Sequence, residues 1–421
     1  MSPARLLKPF RPPVPLQRAE IGLLALFAVV SFTQGWAGAV ITHALPFVRE
    51  DFGLSDSQVF DLLSVVRTVS LLALLFSWWG DHRGRRVPLL VAFVLLPVFN
   101  LATVAVPSAP WFTAAQAGAR IGTIALGSLA VVVLAEELNP LARGYGLGVA
   151  ALFASMGTGF GLLLRFIGES GTDAWRILFA LSGLPLVMFP LLYRRLAESR
   201  VYRRPPSRPP LREALRGGLA RYFWPMAGVS AALSAFTSPA ANLALVRMEN
   251  ELGWSAGAAS LLLAATSAPG VTIGLLAGGR MSDVVGRRPT EAIAIFVGVA
   301  GATGFYFSDQ PVVMGVAISF AMIGSFAFAP AFGSHRSELF PTRVRATAGA
   351  WLSNAAILGG ILGYAAGRWV VDAWGIPRTI AMLGGVLLAA SSLLLLVPET
   401  KGLEITPDEA GSPEPPASTP W

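Results

Sequence analysis

The chain has 421 residues, 54% of them hydrophobic and only 13% charged, with a formal net charge of +8 and no cysteine. An ordinary soluble domain carries about 25% charged residues. The composition therefore excludes a string of soluble domains, and most of the chain must face lipid or be covered by helices that do. Disulfide, thiolate and cysteine–zinc chemistry are excluded, and the scattered basic residues form no stripe for nucleic acid.

Apolar runs of about 20 residues predict twelve membrane spans, near 21–42, 57–79, 87–107, 110–135, 144–165, 174–193, 222–246, 256–279, 291–308, 311–334, 346–367 and 378–397. The first is too long for a secretory signal and is read as a retained helix. Spans 1, 4 and 7 carry neutral polar residues at mid-span: Gln34, Gln116 and Asn242. Spans 2 and 4 carry Arg67 and Arg120, each about ten residues in. At about 1.5 Å per residue both lie about 15 Å deep, near the middle of a core about 30 Å thick. Gly157 and Gly161 in span 5, and Gly359 and Gly363 in span 11, have the small-xxx-small spacing of close helix approach. The Arg- and Pro-rich stretch 194–221 reads as a linker on anionic headgroups, and 403–421 as a disordered tail.

With the N-terminus in the cytoplasm, 24 of the 32 basic residues fall on the inner side and 6 on the outer. This bias predicts a multi-pass protein of the bacterial inner membrane with both termini cytoplasmic.

The order of signs repeats at about 200 residues. Asp81-His82-Arg83-Gly84-Arg85-Arg86 answers to Asp283-Val284-Val285-Gly286-Arg287-Arg288, Glu137 with Pro140 to Glu338 with Pro341, and Glu198 to Glu399. The expected fold is an all-α membrane protein of twelve transmembrane helices in two six-helix pseudo-symmetric halves. Residues 1–193 form the first half, 194–221 the linker, 222–402 the second half and 403–421 the tail. Parallel repeats of this kind put a transporter's substrate between the halves, near the midplane.

The loops between spans 2 and 3 and between spans 8 and 9, with the Glu-x-x-Pro runs and Pro398-Glu399-Thr400-Lys401-Gly402, resemble the major facilitator superfamily over about residues 20–402. Ser77 stands where the second copy has Gly279, a departure from the loop motif. The resemblance implies the two-half fold and a cavity lined by spans 1, 4, 7 and 10. It also implies a latch that closes the inner side, comprising Asp81, Gly84, Arg85 and Arg86 with Asp283, Gly286, Arg287 and Arg288. Asp81 would face the start of span 11 near Ala346. Glu137, Arg143, Glu338 and Arg345 are the inner-gate candidates.

The substrate-binding candidates are Gln34, Arg67, Gln116, Arg120 and Asn242. An intramembrane Arg is costly unless it meets a wet cavity or a partner. The two arginines therefore bind an anionic group or hold neighbouring helices by hydrogen bonds, with a proton relay through Arg120 as a third reading. The acidic residues lie near span ends, and Asp61, Glu136, Glu137 and the pair His335/Glu338 are the weak candidates for a proton-coupling carboxylate.

The expected function is a secondary transporter moving a small organic anion by alternating access, with protons as the candidate coupling ion, as a monomer without cofactor or metal. The alternatives are a proton-coupled drug antiporter, a carrier of sugars or other neutral metabolites, and a non-transporting membrane sensor. No Walker sequence is present for ATP-driven pumping, and no paired acid–base or metal constellation suggests an enzyme.

Overall fold

The computed structural model describes residues 15–139, 142–171, 173–198, 217–340 and 342–401, without the side chains of 81, 82, 135, 143, 144, 342–347 and 350. The expected linker 194–221 thus lies largely, and the expected tail 403–421 wholly, outside the described residues. All regular structure among the described residues is helical: α1 Arg18–Asp51, α2 Asp56–Val69, α3 Ala73–Arg83, α4 Arg86–Thr103, α5 Ala109–Glu137, α6 Arg143–Leu163, α7 Trp175–Leu181, α8 Phe189–Arg195, α9 Ala220–Val246, α10 Ala256–Val284, α11 Arg287–Phe307, α12 Pro311–Leu339 and α13 Thr342–Ser391.

Local chemistry sets the boundaries. Ser55 and Gln58 form a reciprocal capping box that starts α2, and the Ser255 hydroxyl accepts from Ala258 N–H to start α10. A 3-10 turn at Ser70–Leu72 joins α2 to α3, and the Ser70 hydroxyl donates to the Arg67 carbonyl at 2.6 Å.

Among the described residues, eleven segments are long and apolar enough to cross a membrane. The last, Trp351–Leu396, has 46 residues. As one straight helix it would measure about 69 Å, twice the hydrocarbon core. It breaks at Gly375, whose φ of 74° and ψ of 168° leave the helical region. The sequence reading put a ten-residue connection at 368–377. Helix instead runs on to Trp374 and resumes at Ile376, because a single left-handed glycine makes the turn.

The small-residue spacing does what was expected of it. A Cβ on Gly359 or Gly363 would strike the backbone of Ala231 or Ala235 on α9, and one on Gly157 the backbone of Phe32 and Trp36 on α1. The buried apolar residues fall into two clusters. One joins α1, α2 and α7 residues such as Val40, Leu45, Phe60 and Trp175 to α9–α13. The other, with Phe27, Phe93, Leu126 and Leu134, lies within the N-terminal helices alone. Among the described residues, the two groups of helices, α1–α8 and α9–α13, are thus fused by apolar packing at one end. That end is far from the Gly84 and Gly286 turns.

Candidate functional site

At the motif end, Gly84 has φ 99° and Gly286 φ 131°, both in the region that favours glycine. Each turn also cradles a glutamate. The Glu198 carboxylate accepts from Arg85 N–H at 2.6 Å and from Arg86 N–H at 3.3 Å, and Glu399 accepts from Arg287 N–H at 2.8 Å and Arg288 N–H at 3.0 Å. A Cβ at either glycine would collide with that carboxylate. The charge sits at the first turn of α4 or α11, where the helix dipole favours an anion. Arg85 pairs with Glu136 at 3.2 Å, and Arg287 with Glu338 at 2.8 Å and Asp283 at 2.6 Å.

These pairs correct the repeat register. Glu136 makes to Arg85 the contact that Glu338 makes to Arg287, an offset of 202 rather than 201. Glu338 is held by Arg287 and by the Thr400 hydroxyl at 2.6 Å, inside one group of helices. His335 pairs with Glu291, Nδ1 to Oε1 at 2.9 Å, not with Glu338. Arg86 donates to the Leu196 and Tyr193 carbonyls, both at 2.7 Å. The side chains of Asp81, Arg143 and Arg345, and with them the contact near Ala346, lie outside the described residues.

At the far end, polar contacts cross between the two groups. Arg165 is 0% exposed. Its Nε donates to the His43 carbonyl at 2.6 Å, its Nη1 to Ser260 at 3.1 Å and its Nη2 to Glu249 at 2.6 Å. Glu249 is carried on a π-helical turn, Arg247–Glu251, that prolongs α9, and such turns re-aim side chains. Glu169 accepts from Ala256 N–H at the start of α10. Asp372 accepts from Ser57 N–H at 3.2 Å, and Arg368 pairs with Asp61 at 2.8 Å. Asp61, a candidate coupling carboxylate, is thus an ion-pair partner at the rim.

Beneath this seal, at mid-span, Thr42 on α1 donates to Asn242 on α9 at 2.7 Å, and Asn242 Nδ2 donates to the Tyr364 hydroxyl on α13. Tyr364 meets Phe60 edge-on, with centroids 6.0 Å apart. Arg67 donates from Nη2 to Ser234 on α9 at 2.8 Å, and its buried Nε has no partner. Gly118 and Gly122 on α5 press against Phe99 and Leu96 of α4. Arg120, two residues from each, points about 200° round the helix, away from α4. Its guanidinium is half-buried, lies near the Arg67 cation and the neutral Tyr364 hydroxyl, and makes no hydrogen bond or ion pair among the described residues.

The sequence candidates therefore divide. Arg67, Arg120 and Asn242 come together at mid-span. Gln34 sits between α1 and α5, with Nε2 3.4 Å from the Thr123 carbonyl. Gln116 is a correction: it is 3% exposed, and its amide is spent on Thr103 at 2.7 Å and Asn100 at 3.4 Å. Asn100 in turn donates to the Ala37 carbonyl and Ser182. This buried network ties α1, α4, α5 and α7. Sequence reasoning missed Tyr364, Thr42 and the Arg165–Glu249 pair. Arg165 lies at a span end, so it read as a loop charge.

The family model of the major facilitator superfamily matches residues 27–239 and 226–421. A myo-inositol transporter, 3C, of Cryptococcus neoformans var. grubii is 29% identical over 185 residues, 42% of this chain and 31% of the relative. The chain thus spans about a third of the first curated relatives it matches. A probable 4-methylmuconolactone transporter of Cupriavidus pinatubonensis is 24% identical over 400 residues, 88% of this chain and 90% of the relative. Among solved structures, a D-xylose–proton symporter is similar with a TM-score of 0.71, 22% identity and coverage of 91% and 99% of the two chains. A bacterial homolog of the human lysosomal transporter Spinster, inward-facing and unoccupied, has a TM-score of 0.70, 16% identity and coverage of 91% and 96%. The chain belongs to the major facilitator superfamily.

Proposed function

We propose that this superfamily member is a secondary transporter that moves a small organic anion across the cell membrane by alternating access. It would do so with twelve spans in two pseudo-symmetric halves, 1–193 and 222–402. The observation that carries the substrate class is Arg120: a mid-span guanidinium with no hydrogen bond or ion pair among the described residues, close to a second cation, Arg67, that is only partly satisfied. A carboxylate entering between them would relieve both desolvation and mutual repulsion. Asn242 and Tyr364 supply neutral hydrogen-bonding groups above it.

The motif end, which carries Arg83, Arg85, Arg86, Arg287 and Arg288, is the cytoplasmic side on this reading. Closure at the far end then makes this an inward-facing arrangement. The motif turns would hold the latch that closes the inner side in the opposite state.

A second reading, a carrier of neutral polyols, is favoured by the Thr42–Asn242–Tyr364 chain of neutral groups and by the inositol-transporter relatives. Uptake by the purified chain in liposomes separates the two. The probes are radiolabelled benzoate and a muconolactone, against myo-inositol and xylose, with and without a pH gradient. Saturable uptake of a carboxylate that competes with other carboxylates supports the anion reading. Saturable myo-inositol uptake with no carboxylate uptake overturns it in favour of the polyol.

A further inference from the structure

Arg67 and Arg120 bring two positive charges to mid-span, and the helices that build the site bring no described carboxylate to that level. Their acids stand at the helix ends and are engaged there: Asp61 with Arg368, Glu136 with Arg85, and Glu249 with Arg165. Among the described residues, the protein thus leaves both charges for something else to balance.

The two guanidiniums are free to different extents. Arg67 gives Nη2 to Ser234 and lays its Nε edge against Gly360 of α13, which leaves Nη1. Arg120 has no partner among the described residues. Buried nitrogens closed off without a partner include Arg67 Nε but none of Arg120, so the whole Arg120 fork faces open space. A planar fork of this kind takes a carboxylate through paired hydrogen bonds, and Arg67 Nη1 can meet a further oxygen.

The neutral groups nearby add hydrogens more than lone pairs. Asn242 Oδ1 already accepts from Thr42, and the Tyr364 oxygen already accepts from Asn242 Nδ2. A neutral polyol brings a hydrogen with every hydroxyl and needs acceptors in return, whereas an ionised carboxylate brings acceptors alone. Gln34, whose amide sits beside Gly127, is two turns nearer the motif end than Arg120, about 10 Å along α5.

We propose that the mid-span site takes a dianion, a small dicarboxylate with one carboxylate in the Arg120 fork and the other within reach of Arg67. The inference rests on the organic-anion reading and narrows it to two charges. A monocarboxylate would leave one guanidinium uncompensated. That deficit grows when the inner side closes and water leaves the cavity, because an unpaired charge in a dry interior is strongly unfavourable. A dianion removes it. The two arginines stand on different helices, α2 and α5, which suits two separated carboxylates better than the single centre of a phosphate. Selectivity should therefore follow the number and spacing of charges before the carbon skeleton.

The test is competition, with the full chain in nanodiscs at about pH 7.5, where carboxylates are ionised. Radiolabelled adipate and radiolabelled hexanoate are the tracers. Adipate, succinate, monomethyl adipate and inorganic phosphate are the competitors. Monomethyl adipate keeps the skeleton of adipate and lacks one charge. In the parent chain, adipate or succinate should displace tracer at concentrations at least about tenfold lower than monomethyl adipate. In Arg67→Gln that ratio should fall toward one, and in Arg67→Lys, which keeps the charge, a clear preference for the dianion should remain. Equal displacement by adipate and monomethyl adipate in the parent overturns the proposal. So does phosphate displacing tracer better than either dicarboxylate, or a dianion preference that survives in Arg67→Gln. If Arg67→Gln does not insert, the parent series and Arg67→Lys decide. Uptake into liposomes keeps the two readings apart. Saturable benzoate uptake that adipate does not inhibit sinks the dianion and leaves the organic anion standing. Saturable myo-inositol uptake, with no carboxylate bound or carried, sinks the anion reading and the dianion with it.

Discussion

The Arg67 guanidinium donates to the Ser234 hydroxyl, 2.8 Å away and 167 residues on in the chain. It reaches there because position 360, on the neighbouring α13, is glycine: Arg67 fills the space that a Cβ would take. A mid-span cation is thus also part of the packing between the two groups of helices. Arg120 makes no such contact among the described residues, and the difference separates what each arginine should do when replaced.

Arg120→Gln should raise the KM for the transported carboxylate at least tenfold, about 1.4 kcal/mol, and leave thermal stability in detergent unchanged. Arg67→Gln should raise the KM and lower the melting temperature, because it also removes the bond to Ser234. Arg120→Lys should recover only part of the loss, since the planar fork is gone. Uptake kinetics and melting curves on the same preparations check all three.

Helix α13 depends on two adjacent small positions. Gly359→Val should place a branched side chain on the Ala231 backbone, and Gly360→Val should displace the Arg67 guanidinium. Overpacking of this kind costs about 1–3 kcal/mol, so folded yield should fall for the first and transport rate for the second. Gly385→Ala, with nothing within 4 Å, should match the parent in yield and melting temperature.

The motif turns make a matched pair of tests. Gly84→Ala and Gly286→Ala force a side chain into positive φ at about 1–2 kcal/mol, and each displaces the glutamate that caps the next helix. Both should melt earlier than the parent. Equal behaviour of the two variants is what a repeated turn requires, and differential scanning of each in detergent would measure it.

Glu399 carries a pH prediction. Burial alone would raise its carboxyl, but hydrogen bonds from the backbone N–H groups of Arg287, Arg288, Lys401 and Thr400 outweigh burial and hold it below the usual carboxylate range. A depressed folded value means the contribution is complete above the unfolded value of about 4.3 and is lost as pH falls through the folded one. The melting temperature of Glu399→Gln should therefore lie below the parent's at pH 7, and the two should converge as the pH falls through the depressed folded value.

Orientation is open to cysteine labelling in a chain that has no cysteine of its own. Ala105→Cys should react with an impermeant maleimide on intact cells, and Arg83→Cys, exposed at the motif end, only after the cells are opened. The reverse pattern would invert the topology.

Much of the architecture was legible from composition and pattern. Twenty-residue apolar runs can only be helices in lipid, where every backbone polar group needs an internal partner, and the repeat of Asp81–Arg86 at Asp283–Arg288 announced two related turns. Glycine spacing at 157/161 and 359/363 correctly marked close helix approach. The candidate site was legible only in part. Arg67, Arg120 and Asn242 stood out because charge and amide are rare at mid-span. Gln116 stood out for the same reason, yet it belongs to a buried network with Asn100 and Thr103.

Sequence by itself determined the elements, their membrane character, the family likeness and the depth of the two arginines, because these follow from local periodicity and the thickness of a bilayer. Tertiary structure alone decided which side chains meet: Arg165 with Glu249, Arg67 with Ser234, Tyr364 with Asn242. Those partners lie 84 to 167 residues apart. Their meeting depends on how two groups of helices pack at one end, and no local pattern encodes a distance of that kind.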